Sequence, residues 1–312
     1  MSILSQVFFR PADIVDMTQP RQIIPGSTYF ITRRCTQRCF LLKPKALTNQ
    51  IFLYCIAVAA QETGVIINAV CVMSNHWHAI VTDPDRRIAD FYGWVHKYVA
   101  KAVNSSYGRW ENLWSSEKTS LIRLAKRKDV LSKVQYTLTN PVVAGLVAKG
   151  SKWPGVWLYR REHSRTIKRP PVFFRKDGDM PEEIRLLIKP PPQFDSMGAD
   201  EYEETVSRML ERKELKVQAK MEREGRSFLG AQAVISQHHL AQPNSREKRR
   251  ELNPRIAGKS KWYRIEAIHR QKDFIFKYRK AFSRWREGTR DVVFPFGTYG
   301  LRVFAGVKCE PG

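Results

Sequence analysis

The chain has 312 residues, 43% of them hydrophobic, and its 54 Lys and Arg against 30 Asp and Glu give a formal net charge of +24. That apolar content excludes a wholly disordered basic tail, and the length suits two modest domains. A positive excess of this size favours polyanionic partners, nucleic acid first among them, over neutral metabolites or basic proteins.

The opening residues lack a basic leader followed by a long apolar core, so no secretory signal is expected. Pro25-Gly26-Ser27 reads as a turn, and residues 28–34, rich in β-branched and aromatic side chains, read as a strand. Residues 47–63 hold helix formers, with Thr48 or Asn49 as caps and Gly64 as the stop. Residues 65–73 and 77–81 follow as two strands joined by a tight turn at Ser74-Asn75. A helical period in Ile88, Phe91, Val95 and Val99 marks 86–105, and a shorter helix is expected over 129–139, ahead of Asn140-Pro141. This alternation implies an α+β sandwich with helices packed on a mainly antiparallel sheet.

Beyond residue 162 the texture changes. Arg169-Pro-Pro171, Lys176-Asp-Gly-Asp179 and Lys189-Pro-Pro-Pro-Gln193 make residues 163–198 a Pro-rich linker. A basic, mainly helical region is expected over 199–312. Its first helix covers 199–224, and its second covers 260–287 with an uneven apolar face of Trp262, Ile265, Ile268, Ile275, Tyr278, Phe282 and Trp285. Between them a basic cluster at 245–254 is either a solvated loop or a phosphate contact. The expected division is therefore 1–162, 163–198 and 199–312. The longest apolar run, 51–60, is too short to span a membrane. Cys35, Cys39, Cys55, Cys71 and Cys309 are odd in number and form no Cys-x-x-Cys, which fits packed free thiols in a reducing compartment, so a cytoplasmic location is expected.

The chemistry centres on His76-Trp77-His78. Side chains alternate across a strand, so both imidazoles share one face while Trp77 anchors in the other. Two such rings are half of a metal site, or simply a pair of hydrogen-bonded histidines. A catalytic divalent ion would also need a third protein ligand and a nucleophile. Tyr136 and Asn140 lie four apart and project from one side of a helix, and an Asn oxygen suits Mg²⁺ or Mn²⁺. Equally, Asn140 before Pro141 can cap a helix, and Tyr136 can be a packed aromatic like Tyr92, Tyr98 or Tyr107. Spacing does not choose among the four tyrosines.

The block Met73-Ser-Asn-His-Trp-His78 resembles the Met-Pro-Asn-His-hydrophobe-His motif of the single-strand HUH transposases, and Tyr136-Thr-Leu-Thr-Asn-Pro-Val-Val-Ala-Gly-Leu146 resembles their downstream Tyr-Ile-His-x-Asn-Pro-Val-x-Ala-Gly-Leu block. Pro25-Gly26, Tyr29 and Arg33-Arg34 match the opening strand, so the resemblance spans residues 20–160 and points to the REP-associated tyrosine transposase branch. Ser74 in place of Pro, the bulky Trp77 and Thr137-Leu138-Thr139 depart from the pattern without removing a reactive group.

The resemblance implies a ferredoxin/RRM-like HUH fold, with Tyr136 as catalytic nucleophile and His76, His78 and Asn140 as ligands to Mg²⁺ or Mn²⁺. It implies cleavage and rejoining of single-stranded, hairpin-containing DNA through a 5′-phosphotyrosine. Arg33, Arg34 and Arg38, and Lys126, Arg127 and Lys128 ahead of the tyrosine, are candidate DNA contacts. The implied partner is single-stranded or hairpin DNA and not a membrane, and a homodimer stays open, with the tyrosine serving its own histidines or a partner's. Two other readings stay open as well: a catalytically inactive single-stranded nucleic-acid-binding module of the same fold, and a metal-dependent phosphodiester hydrolase in which water attacks.

Overall fold

The computed structural model describes residues 20–245 and 261–312. All of the basic cluster at 245–254 except Ser245 lies outside the described residues.

The first six elements alternate as β1 (Ser27–Arg34), α1 (Ala46–Thr63), β2 (Ile66–Val72), β3 (His76–Asp83), α2 (Ile88–Ser106) and β4 (Ser120–Leu124). Their sheet is ordered β4-β1-β3-β2, extended at one edge by the two-residue β5 (Trp157–Leu158). β3 thus inserts between β1 and β2, which is the split β-α-β-β-α-β arrangement of ferredoxin-like folds. The pairs β1/β4, β2/β3 and β2/β5 run antiparallel. Fold class and element order agree with the sequence reading. That reading missed β4 and β5, because five residues reading Ser-Leu-Ile-Arg-Leu and a Trp-Leu pair carry too short a pattern to register.

Strand alternation distributes the core between two layers. On one face Trp77, fully buried, packs edge-on against Phe52 of α1 and His96 of α2. On the other, Phe30, Ala69, Ile80, Ile122 and Leu124 meet Val130, Val134 and Leu138 of α3 (Arg127–Val143). The apolar residues of α3 recur at every fourth position, so its stripe lies on the sheet while Tyr136 and Asn140 fall on another side. α1 ends where expected, at Gly64, whose φ of 71° is the left-handed conformation that favours glycine.

α1 is apolar on all sides, and residues 51–58 are buried throughout. Its outer side is covered by an antiparallel hairpin, β6 (Arg165–Lys168) and β7 (Glu183–Leu186), set inside the stretch read from sequence as a linker. The Tyr54 hydroxyl donates to the Pro181 carbonyl at 2.5 Å and its ring packs on Phe174. Next, α4 (Ala199–Arg223) lays Tyr202, Val206 and Leu210 against the α3 stripe, and α5 (Ala231–Ser236) buries Val234 with Met73, Val142 and Trp153.

The chain divides into a larger unit, Thr28–Ala257, and a smaller one whose described parts are residues 20–27 and 261–312. The hairpin and α4 therefore belong to the unit that holds the sheet, unlike in the three-part division read from sequence, because they complete the cores around α1 and α3. In the smaller unit, Tyr278, Phe282 and Trp285 of α6 (Lys261–Arg286) pack with Val292, Phe294 and Leu301, the last on α7 (Gly300–Phe304). Trp262 and Ile268 are exposed, so the apolar face expected along α6 is covered only in part, with Ala267, Phe274 and Ala281 its buried positions. All five cysteines are free, four of them buried. Among the described residues no helix is long and apolar enough to cross a membrane.

Trp77 joins the sheet to both covering helices, so Trp77→Ala is expected to cost about 3–5 kcal/mol. Urea unfolding followed by fluorescence or circular dichroism measures this; a loss below about 1 kcal/mol would mean that the α1/α2 layer closes without the indole.

Candidate functional site

β3 and α3 bring the sequence-predicted residues together. His76 and His78 sit on the α3 side of β3, with ring centroids 4.7 Å apart. The Tyr136 ring stands edge-on to His78 at 5.2 Å and to Phe30 at 5.9 Å, while 51% of Tyr136 stays exposed. One turn further along α3, Asn140 Nδ2 lies 2.9 Å from His78 Nε2. Asn140 is inside the helix and not its cap: α3 continues through the buried Pro141 to Val143. Trp157 Nε1 donates to the Leu138 carbonyl at 2.9 Å in the turn where Pro141 supplies no N–H.

Hydrogen bonds set both imidazoles in one tautomer. Asn75 Nδ2 donates to the Arg38 carbonyl at 3.0 Å, which turns Asn75 Oδ1 toward His76 Nδ1, 2.7 Å away. His76 Nδ1–H therefore donates, and its Nε2 keeps the lone pair. For His78 the Asn140 amide donates to Nε2, so Nδ1–H donates to Thr32 Oγ1 at 2.8 Å. Burial is the main reason that both rings resist protonation: His76 is lowered to about 4, helped by Arg34 and Arg38, and His78 is lowered well below its usual value, helped by His76 and Lys133. At neutral pH both are neutral bases.

These rings suit a divalent cation. Two neutral imidazoles, each with Nδ1 held from behind, are the arrangement that orients metal-ligating histidines. Asn140 adds a third donor once its side chain turns to present Oδ1 to the cation, in place of the amide that otherwise meets His78 Nε2. Among the described residues no cluster of three His, Cys, Asp or Glu forms an alternative metal site.

The site opens into a cavity of about 560 Å³ that Arg33, Arg34 and Arg38 also line. Arg33 donates to the carbonyls of Glu117 and Ser115, and Arg34 pairs with Glu117 at 3.3 Å. Arg38 donates to the Ser245 carbonyl at 2.5 Å and to its hydroxyl at 3.0 Å. Lys126, Arg127 and Lys128 are exposed at the start of α3 and do not line the cavity; Arg127 bonds Ser196 Oγ at 2.6 Å and the Gln193 carbonyl. The structure thus groups the first three arginines with the histidines and sets the other trio apart.

Sequence reasoning missed several groups here. Lys133 places its ammonium 5.3 Å from the centre of the Tyr136 ring and 4.8 Å from that of Phe30. Its position three residues before Tyr136 on a helix was the available signal. Asn75 stood inside the motif at 73–78, which was its signal, whereas Thr32 had none, since its partner is set by tertiary contact. Nor did the segment 237–245, from which Gln237, Pro243 and Ser245 line the cavity. It is tied down by Phe40 N–H donating to the Ala241 carbonyl at 3.0 Å and by His239 stacked on Tyr107 at 4.3 Å.

No family model matches the chain, and no curated protein matches it. Among solved structures it is similar to a REP-associated tyrosine transposase bound to a REP hairpin, at 26% identity and a TM-score of 0.38, over 45% of this chain and 81% of that one. It is also similar to a putative transposase from Deinococcus radiodurans R1, at 15% identity and a TM-score of 0.27, over 36% of this chain and 91% of that one.

Arg38→Ala removes both bonds to Ser245. The Phe40 amide is then expected to exchange with deuterium about fivefold faster, as for the loss of about 1 kcal/mol of local hydrogen bonding. Unchanged exchange would show that the His239 stack alone holds 237–245 in place.

Proposed function

We propose that the chain is a metal-dependent DNA strand transferase that cleaves and rejoins single-stranded DNA through a covalent tyrosine intermediate. The observation that carries this reading is the convergence of Tyr136, His78 and Asn140, with the Tyr136 ring 5.2 Å from His78 and half exposed in a cavity edged by arginines. A structural tyrosine on α3 gains most by burying its ring. This one keeps its ring at the cavity beside two neutral imidazoles, where a phosphodiester can reach it. The motif resemblance across residues 73–78 and 136–146 supports the same assignment, as does the net charge of +24.

In this reading the Tyr136 phenolic oxygen attacks the scissile phosphorus. The new bond joins tyrosine to the 5′ side, the P–O3′ bond breaks, and the departing oxygen takes up a proton to become a free 3′-hydroxyl. A 3′-hydroxyl on a second strand then attacks the phosphotyrosine, restoring a phosphodiester and releasing the phenol. Each step exchanges one phosphate ester for another, so no nucleotide cofactor is consumed.

His76, His78 and Asn140 would hold Mg²⁺ or Mn²⁺, which when bound supplies Lewis-acid stabilisation of the charge on the phosphate oxygens. Thr32 and Asn75 keep the imidazole lone pairs turned inward. Lys133 adds a positive charge over the phenol, whose ordinary pKa near 10 opposes ionisation at neutral pH. Arg34 and Arg38 draw the strand's phosphates to the cavity, and its substrates are single-stranded or hairpin DNA.

The test is a labelled single strand incubated with Mn²⁺ and analysed under denaturing conditions. Wild type is expected to give a protein–DNA adduct and Tyr136→Phe none, with strand cleavage falling by at least about a hundredfold. Cleavage that survives Tyr136→Phe would point instead to water as nucleophile, and binding without cleavage to a non-catalytic module. Separately, Thr32→Val, which deletes the bond to His78 Nδ1, is expected to weaken Mn²⁺ binding by about 10- to 100-fold. Calorimetric titration reads that out, and an unchanged affinity would remove Thr32 from the arrangement.

A further inference from the structure

α4 separates its charges by side. Arg208, Arg212, Lys216 and Lys220 recur at every fourth residue with Arg223 beside them, whereas Glu203, Glu211 and Glu214 fall on another flank of the helix. The acidic flank is used internally: Glu203 accepts from the Arg161 backbone N–H, and Glu214 accepts from Gly150 N–H at 2.8 Å. The basic flank is uncommitted in its middle. Arg208 pairs with Glu204 at 3.7 Å and Lys220 with Glu224 at 3.6 Å, but Arg212, Lys213 and Lys216 between them make no ion pair among the described residues.

A groove of about 620 Å³ runs beside that flank, between α4 and α3. Four cations, Arg208, Arg212, Lys213 and Lys216, line it together with Gln135, and no carboxylate does. Gln135 immediately precedes Tyr136, and its amide donates to the Met209 carbonyl at 3.0 Å, which fixes the groove floor to the same turn of α3 that carries the tyrosine. Residues four apart on a helix advance about 6 Å, so Arg208, Arg212 and Lys216 form a ladder of positive charge along the groove.

Resting on the reading of Tyr136 as nucleophile, we propose that this groove binds the phosphodiester backbone of the single strand where it continues beyond the scissile phosphate. Repeated cations without an interspersed carboxylate match a polymer that carries one negative charge per repeat. The place of Gln135 in the groove wall, one residue from Tyr136, selects the DNA strand over an unrelated acidic partner. Backbone contact of this kind gives grip without reading sequence.

The experiment uses the full-length protein and the fluorescence anisotropy of a labelled oligo-dT of roughly 30 nucleotides, longer than a single binding site, titrated over a range of salt. Each phosphate contact on a single strand contributes about 0.7 to the slope of log affinity against log salt, so the triple variant Arg208→Gln, Arg212→Gln, Lys216→Gln is expected to lower that slope by about 2. Neutralising Lys168, Arg175 and Lys176 on and beside the β6–β7 hairpin, all exposed, should leave it within about 0.5 of wild type. Should the triple variant fail to fold by circular dichroism, the single Arg212→Gln is read instead, with an expected drop of about 0.7.

Wild-type slope in the triple variant, or an equal drop in the hairpin control, overturns the groove. So does an absence of any strand binding by wild type. The denaturation-resistant adduct is scored on the same wild-type sample. Adduct with an unchanged variant slope sinks the groove alone, and a lowered slope without adduct sinks the tyrosine reading while the groove stands.

Discussion

The structure depends on one constraint: neighbouring residues of β3 must point into different layers. Trp77 fills the layer of α1 and α2, and this commits His76 and His78 to the layer of α3. Because the side-chain period of a strand is two, a slip of one residue in the β2/β3 register would place the indole among the reactive groups and the imidazoles in the apolar core. The register Cys71↔His78 and Val72↔Trp77 forbids that slip, and the buried indole enforces it through packing. The same residue that looks out of place in the motif, a Trp where smaller side chains are usual, therefore anchors the pair that flanks it.

Burying two imidazoles has a cost that the surrounding polar groups offset. A desolvated imidazole is held neutral, and a neutral ring needs its N–H satisfied. Thr32 and Asn75 accept those N–H groups, and Asn75 is itself oriented by the Arg38 carbonyl. Arg38 sits at φ 61° directly after Gln37 at φ 48°, two left-handed residues without a glycine. Such conformations survive only where the surroundings over-determine them, and here the Arg38 carbonyl faces Asn75 while its guanidinium reaches Ser245. The rest of the cavity wall is built on the same principle, by backbone groups caught at a distance in sequence.

How much of this was legible in the sequence follows from the range of each interaction. Alternation in 76–78 and the four-residue spacing of Tyr136 and Asn140 are local, and each pair shares a side as its spacing implied, whereas the meeting of the two pairs was legible only through the motif resemblance. Pro141 was misleading, since the rule that a helix ends before proline holds when the freed backbone is solvated, whereas here Pro141 is buried in the last turn of α3. The hairpin of β6 and β7 was hidden by the three prolines and the glycine in its connection. Its presence was nevertheless implied by α1, whose residues 51–58 are apolar on every side and require cover on each. Nothing local marks 237–245 as a wall of the cavity, since it is held by Phe40 and Tyr107 from far earlier in the chain.

The same reasoning explains why α4 cannot be treated as an appendage. α3 has two duties: its apolar stripe must seal the sheet, and its other side must present Tyr136 and Asn140. A helix with both sides committed needs lateral support to hold its rotation about its own axis, because a turn of a few tens of degrees would carry Tyr136 away from His78. Tyr202, Val206 and Leu210 supply that support by packing into the α3 stripe, and Gln135 clamps the two helices one residue from the tyrosine. With the apolar stripe of α4 used against α3, its charges are left to the flanks. The acidic flank meets Arg161 and Gly150 of the same unit, and the basic flank faces the groove that Gln135 lines. The packing that fixes the tyrosine is therefore also what fixes the direction in which those cations point.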